Sequence, residues 1–237
     1  MLGSLTKDLV PPTVAAMSAP TLGRADLHVH PVGNGSSVRN PTALLAALLA
    51  AGLDLVALTD HDRIDAAAEL AARGADAGLV LIVGEEITSR DGHVLGLGLQ
   101  TLVAPGRSLG DTVAEIHSQG GLAIAAHPLL AMPSSASRRT LEALAQGPPE
   151  RRPDAVEGFN PGVAWLPGYR RQLERLAAAA GYAVVGGSDA HRPGGVGRGV
   201  TRYCGHTFED LAAAIAAGET IVEGRAYGLR DLLQGRR

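Results

Sequence analysis

The chain has 237 residues, 46% of them apolar but only 3% aromatic, enough for one α/β domain whose core is built from Ala, Leu, Val and Gly. A charged fraction of 19% argues against a disordered, solvating chain, and a formal net charge of −3 supplies no global positive field for a long nucleic-acid duplex or an anionic membrane. The single cysteine, Cys204, excludes an internal disulfide framework and fits a reducing, cytoplasmic setting, where it reads as a small packing residue.

Residues 1–23 read as an irregular arm, because Lys7, Asp8, Pro11, Pro12 and Pro20 interrupt any apolar run that could form a signal peptide or a membrane span. From residue 24 to 237 short apolar runs alternate with Ala/Leu-rich segments. In chain order, the pattern predicts a strand over 25–30, a helix over 42–51, a strand over 54–59, a helix over 66–77 and a strand over 79–87. The five residues 88–92 are too short for a helical crossover, and Asp91-Gly92 is a turn signal, so a hairpin leads into a strand over 93–99. A helix over 109–118, a strand over 122–127, a helix over 138–145, a strand over 155–159, a helix over 168–180, a strand over 183–187 and a helix over 208–217 complete the series. Thr207 with Asp210 forms a variant capping box for the last helix. The run Gly194–Gly199 reads as a flexible loop rather than a phosphate cradle. Continuous apolar strands alternating with helices imply a largely parallel sheet in a single α/β barrel.

The polar residues fall on this map in one pattern. His28 and His30 are two apart on the first strand and share a face. Asp60-His61-Asp62 follows the second strand, Glu85-Glu86 ends the third, His93 opens the hairpin's return strand, His127 ends the next, and Asp189 and His191 follow the last. Six of the eight histidines therefore lie at strand exits or at the one matching strand start. His117, within a helix, reads as exposed or a local contact, and His206, before a helix, as a loop residue. A core has no use for imidazoles and carboxylates at every exit, and the same rim of an α/β barrel is where active sites form. Imidazole with carboxylate suits zinc, manganese or iron.

Asp26-Leu27-His28-Val29-His30, Thr59-Asp60-His61-Asp62, Gly84-Glu85-Glu86 with Gly92-His93, Ala126-His127-Pro128 and Gly187-Ser188-Asp189-Ala190-His191 resemble, in this order, the motifs of the PHP (polymerase and histidinol phosphatase) family. Among its members the chain is most similar to small stand-alone metal-dependent phosphoesterases. The resemblance covers about Arg24 to Val222 and implies a distorted (β/α)7 barrel with two or three divalent ions. It implies that His28, His30, Glu86 and Asp189 hold the first ion. Glu86 would bridge to a second held by His93 and His127, and His61 and His191 would hold a third. Glu86 rather than Glu85 follows from the family's Gly-x-Glu spacing, and alternation keeps the two from facing the same way. Gly35 and Ser36 stand where many relatives carry a further ligand, which leaves the third site open and the loop 31–40 free to serve the substrate.

Three readings follow. In the first, a metal-activated water cleaves a small phosphate ester or a nucleotide, with His61, Asp189 and His191 as catalytic residues. Asp26, Asp60 and Asp62 then orient ligands from behind, and Arg198 and Arg202 bind the phosphate. In the second, the same site hydrolyses an amide or carbamate. In the third, it is a non-catalytic metal-binding module.

Overall fold

The computed structural model describes residues 22–32, 40–76 and 79–227. It contains strands β1 (Leu22–Val29), β2 (Leu55–Leu58), β3 (Val80–Ser89), β4 (Gly92–Leu97), β5 (Leu122–Ala125), β6 (Ala155–Phe159), β7 (Ala183–Gly186), β8 (Gly199–Cys204) and β9 (Ile221–Gly224). Helices α1 (Pro41–Ala50), α2 (Asp65–Asp76), α3 (Leu109–Ser118), α4 (Arg138–Ala145), α5 (Tyr169–Ala180) and α6 (Phe208–Ala217) lie between them. One sheet contains all nine strands in the order β7-β6-β5-β4-β3-β2-β1-β8-β9. β1, β2 and β3 run parallel, the hairpin β3–β4 and the pair β4–β5 are antiparallel, and β5, β6 and β7 are parallel again. The expected hairpin is present. The expected seven strands are joined by two more, β8 antiparallel to β1 and β9 antiparallel to β8.

The sheet curls into a nearly closed barrel. Ala190, just past β7, bridges to Val29 of β1, and His30 donates its backbone N–H to the Ala190 carbonyl at 2.9 Å. Gly186 at the end of β7 donates its N–H to Thr201 Oγ1 of β8 at 2.8 Å. β1 starts at Leu22, inside the stretch expected as an arm, whereas residues 1–21 and the loop positions Gly35 and Ser36 lie outside the described residues. The helix ends follow the sequence: Ser108 and Ser137 cap α3 and α4, Thr207 and Asp210 form a capping box on α6, and Gly181 and Gly218 end α5 and α6 with φ near +70°. No described helix is long and apolar enough to cross a membrane.

The barrel interior is small and aliphatic. Ala25, Leu27, Ala57, Leu95, Ile124, Ala155 and Val185 share a cluster with Leu211, Ala214 and Ile215 of α6. Phe208 of α6 lies against Gly98, just past the end of β4, so α6 covers the barrel end opposite the one where β4 begins at Gly92. The helices α1 and α2 bury Leu44, Leu48 and Leu70 against the outer face, with Val29, Val56 and Leu58. Leu27 is thus inside and Val29 outside, although they share parity. The β1–β2 register shifts between Asp26 and Val29, and a slip of this kind flips every later side chain to the other face. It turns His28 and His30 into the barrel mouth.

Candidate metal centre

Glu86 is the hub. It lies on the same face of β3 as Ile82, which packs on the interior cluster, and its side chain is 1% exposed. The backbone beyond β2 carries His61 alongside it: Glu86 N–H donates to the Asp60 carbonyl at 3.0 Å, and Asp62 N–H donates to the Glu86 carbonyl at 3.1 Å. The two carboxylate oxygens face different imidazoles. Glu86 Oε2 is 3.2 Å from His28 Nε2, His30 Nε2 and His61 Nδ1 alike. Glu86 Oε1 is 2.7 Å from His93 Nδ1 and 3.0 Å from His127 Nε2.

Asp189 completes the first group. Its Oδ1 is 3.1 Å from His30 Nε2 and 3.6 Å from His28 Nε2. Four donor atoms bound tetrahedrally at ~2.0–2.1 Å would be roughly 3.3–3.4 Å apart, close to the four separations found here. The Nε2 atoms of His28 and His30 and the Nδ1 atoms of His30 and His127 are buried and make no hydrogen bond. Such orphaned atoms are costly unless an ion or another partner satisfies them. The donor set therefore fits divalent cations. A further group, His30, His61 and His191, has donor atoms within 4.8 Å of one another, and so does His61, Glu86 and His93. His61 and His191 are the open side of the cluster, with side chains 42% and 28% exposed against 0% for His28 and His30.

The PHP-associated family matches residues 167–220, a stretch that contains Asp189 and His191. An uncharacterized protein of Methanocaldococcus jannaschii is 34% identical over 115 residues, covering 44% of this chain and 67% of that protein. A two-domain protein of Bacteroides vulgatus, described as containing a predicted PHP-like metal-dependent phosphoesterase, superposes with a TM-score of 0.69 at 21% identity, over 91% of this chain and 69% of its own. The chain belongs to the PHP family. The same fold recurs in PsfC of Pseudomonas syringae (TM-score 0.66, 17% identity, 90% of this chain and 96% of that one). It also recurs in an amidohydrolase of Chromobacterium violaceum solved with sulfate and no metal (0.56, 19%, 90% and 96%).

In this PHP chain the charges are balanced by carboxylates and imidazoles. Burial disfavours imidazolium at His28, but the carboxylates of Glu86, Glu157 and Asp189 outweigh it and raise its pKa well above the usual value. At His30 burial is likewise overcome, by the adjacent carboxylates of Asp189 and Glu86, and the pKa rises to about 8. Burial lowers His61. For Glu86 burial works upward, yet His28, His127 and His30 hold its pKa far below the ordinary range.

The remaining predicted residues divide. Asp60 lies 3.9 Å from His30 Nδ1 and accepts the Val32 N–H at 3.0 Å. Asp26 contacts no ligand side chain; its carboxylate accepts the N–H groups of Ser188 at 2.9 Å, Gly197 at 2.8 Å and His28 at 3.4 Å, tying β1 to the Asp189 loop. Burial raises its pKa to about 6. Asp62 accepts the Thr88 N–H at 2.7 Å. Arg198 directly precedes β8, and its guanidinium stacks on Tyr227 at 5.0 Å. Arg202 is not brought to the centre: it pairs in register with Arg24, near the start of β1, and forms an ion pair with Glu223 at 3.2 Å. The antiparallel run of β8 carries it away from the rim. Gly194–Gly199, expected as a loop, contains a short 3-10 turn and the first residue of β8. His117 bonds Asp154 at 3.0 Å and His206, in the loop before α6, bonds Asp54 at 2.7 Å, both long-range ion pairs away from the centre, whereas Cys204 is exposed rather than packed.

Two residues escaped the sequence reading. Glu157 of β6 is 1% exposed, 2.9 Å from His28 Nδ1, and accepts the His127 N–H at 2.8 Å. Asn160, just past β6, donates from Nδ2 to Asp189 Oδ2 at 3.1 Å. The signal was a carboxylate inside the apolar run Ala155-Val156-Glu157-Gly158-Phe159, where burial demands a partner.

Proposed function

We propose that this PHP protein is a metal-dependent hydrolase that cleaves a small phosphate ester or a nucleotide. The observation that carries the reading is the split of Glu86, one oxygen toward His28, His30 and His61 and the other toward His93 and His127. A carboxylate so placed suits a bridge between two ions, with His28, His30 and Asp189 on one side and His93 and His127 on the other. His61 and His191 are available to a third. Zinc, manganese or iron fits these nitrogen and oxygen donors. Divalent ions there would lower the pKa of water and neutralise charge on the transferred group.

The chain's own residues supply the rest. His61 and His191, at the open side, are positioned to meet the substrate and to exchange a proton with a leaving oxygen. Asp189 orients the adjacent imidazoles, and Asp60 backs His30. Arg198, beside the same rim, is the arginine we assign to the phosphate in place of Arg202. A cytoplasmic location accords with the free thiol of Cys204.

The test is a metal count on protein purified without chelator, followed by hydrolysis of an aryl phosphate with manganese. Wild type should turn over and His127→Ala should not. Hydrolysis of a carbonyl centre is the second reading, favoured by the likeness to an amidohydrolase. Metal-loaded protein that cleaves an aryl amide or carbamate and leaves every phosphate ester intact would establish it.

A further inference from the structure

We propose that Glu157 and Asn160 are positioning residues that couple the two halves of the metal centre, one carboxylate fixing both the His28 ring and the His127 main chain. The inference rests on the metal-centre reading above. Glu157 shares parity with Ala155, an interior residue of β6, so its side chain rises into the barrel beneath the histidines. Gly187 leaves the room it needs: a Cβ there would lie 2.8 Å from Glu157 Oε1 and 2.5 Å from the His28 Cβ.

Each oxygen has a separate task. Oε1 is 2.9 Å from His28 Nδ1. A carboxylate accepts, so Nδ1 carries a proton, and Nε2, 3.2 Å from Glu86 Oε2, is the nitrogen left to offer a lone pair once an ion displaces any proton there. Oε2 accepts the His127 N–H at 2.8 Å and the Asn160 side-chain N–H at 3.4 Å. His127 has φ +26°, a conformation that needs outside support, and this bond supplies it. Asn160 Oδ1 accepts the Gly162 N–H at 2.8 Å, which fixes the amide orientation. Its Nδ2 then reaches both Glu157 and Asp189, leaving Asp189 Oδ1 to face His30. His28 and Asp189 belong to one half of the centre and His127 to the other, so Glu157 sets their separation.

An amide at position 157 has one accepting oxygen for two donors, His28 Nδ1–H and His127 N–H, and must turn its NH2 on one of them. Metal-stripped wild type, Glu157→Gln and Asn160→Ala would be titrated with zinc against a chromophoric chelator, and the imidazole N–H groups followed by NMR on 15N-histidine protein. Glu157→Gln should weaken zinc at both sites by ~10–100-fold and shift the His28 Nδ1–H resonance upfield. Asn160→Ala should weaken only the site that contains Asp189, by roughly tenfold. A purely structural role would lower the melting temperature of the metal-free protein and leave per-site affinity and the His28 resonance unchanged, and that result overturns the proposal. Should Glu157→Gln not fold, unchanged affinity in Asn160→Ala overturns it equally. Should wild type bind no zinc, the metal-centre reading fails by itself; a His28 Nδ1–H resonance dependent on Glu157 in the metal-free protein would still uphold the positioning role, and an independent one would overturn it.

Discussion

Asp189→Asn should remove a part of the stability that depends on pH. His30 Nε2 faces Asp189 Oδ1 at 3.1 Å and Glu86 Oε2 at 3.2 Å. Burial opposes the charged ring, but the two carboxylates prevail and lift its pKa from 6.5 to about 8. The folded chain then holds this proton more tightly than the unfolded chain. The stabilisation is complete below pH 6.5 and is lost as pH rises through 8. A shift of about 1.5 units amounts to about 2 kcal/mol, and removing one of the two carboxylates should forfeit about half. The charge on Asp189 adds no pH dependence of its own here. Burial would raise its pKa, but His28 and His30 hold it far below the ordinary value, so it stays ionised throughout pH 6–9. His28, raised by the same carboxylates, changes the balance in the same direction. Urea denaturation of metal-stripped protein should show wild type exceeding the variant by about 1 kcal/mol more at pH 6 than at pH 9. An equal gap at the two pH values, or a larger one at pH 9, refutes the reasoning. The same proton must leave when an ion binds, so wild-type zinc affinity should fall below about pH 8, roughly tenfold per unit for each proton displaced.

Glu85 is buried with Oε2 accepting the Val103 N–H at 3.0 Å, and burial raises its pKa from 4.5 to about 7. Its neutral form is favoured in the fold, so stability declines as pH rises from 4.5 through 7; Glu85→Gln should gain on wild type by about 2 kcal/mol between pH 5 and pH 8 in urea melts, and a constant difference would contradict this. Gly187→Ala drives a methyl into His28 and Glu157, and should cost about 1–3 kcal/mol in stability and at least about tenfold in zinc affinity by chelator competition. Arg202→Ala removes a partly exposed ion pair with Glu223 away from the rim; kcat/KM for an aryl phosphate should stay within about twofold and stability within about 1 kcal/mol. A large loss of activity there would return Arg202 to the substrate.

Much of this arrangement was legible because barrel chemistry is written at strand exits. His28, His30, His61, His93, His127, Asp189, His191 and the pair Glu85-Glu86 could be gathered from the strand pattern, since six follow or end a parallel strand and His93 opens the antiparallel return strand at the same mouth, whereas the choice of Glu86 over Glu85 came from the family resemblance. What escaped depends on tertiary context. β8 begins in a glycine-rich run, and its Gly199 passes so close to Gly187 that no Cβ would fit, a constraint invisible along the chain. β9 has four mostly exposed residues and looks like a loop. Alternation put His28 and His30 on one face without saying which; the register slip in β1 decides that, and it shows only once β1 is paired with β2. Arg202 failed for a related reason, because an antiparallel β8 reverses which end of the strand meets the rim.

Backbone strain marks the same places. The described non-glycine residues with positive φ are Asp62, His127, Leu129 and Asp189. His127 and Asp189 belong to the histidine–carboxylate cluster around Glu86, and Asp62 adjoins His61. Left-handed conformations of this kind cost about 1–3 kcal/mol unless the surroundings hold them, with Asp tolerated best. Asp62, His127 and Asp189 are each held by a bond reaching across the rim: the Asp62 carboxylate takes the Thr88 N–H, Glu157 takes the His127 N–H, and Asn160 grips the Asp189 carboxylate. The strands bring the donor atoms to one mouth, but a strand that simply continued would send His127 and Asp189 past it. Turning sharply back there demands the unfavourable φ, and Asp62, Glu157 and Asn160, polar residues around the cluster, supply the hydrogen bonds that favour the turned chain.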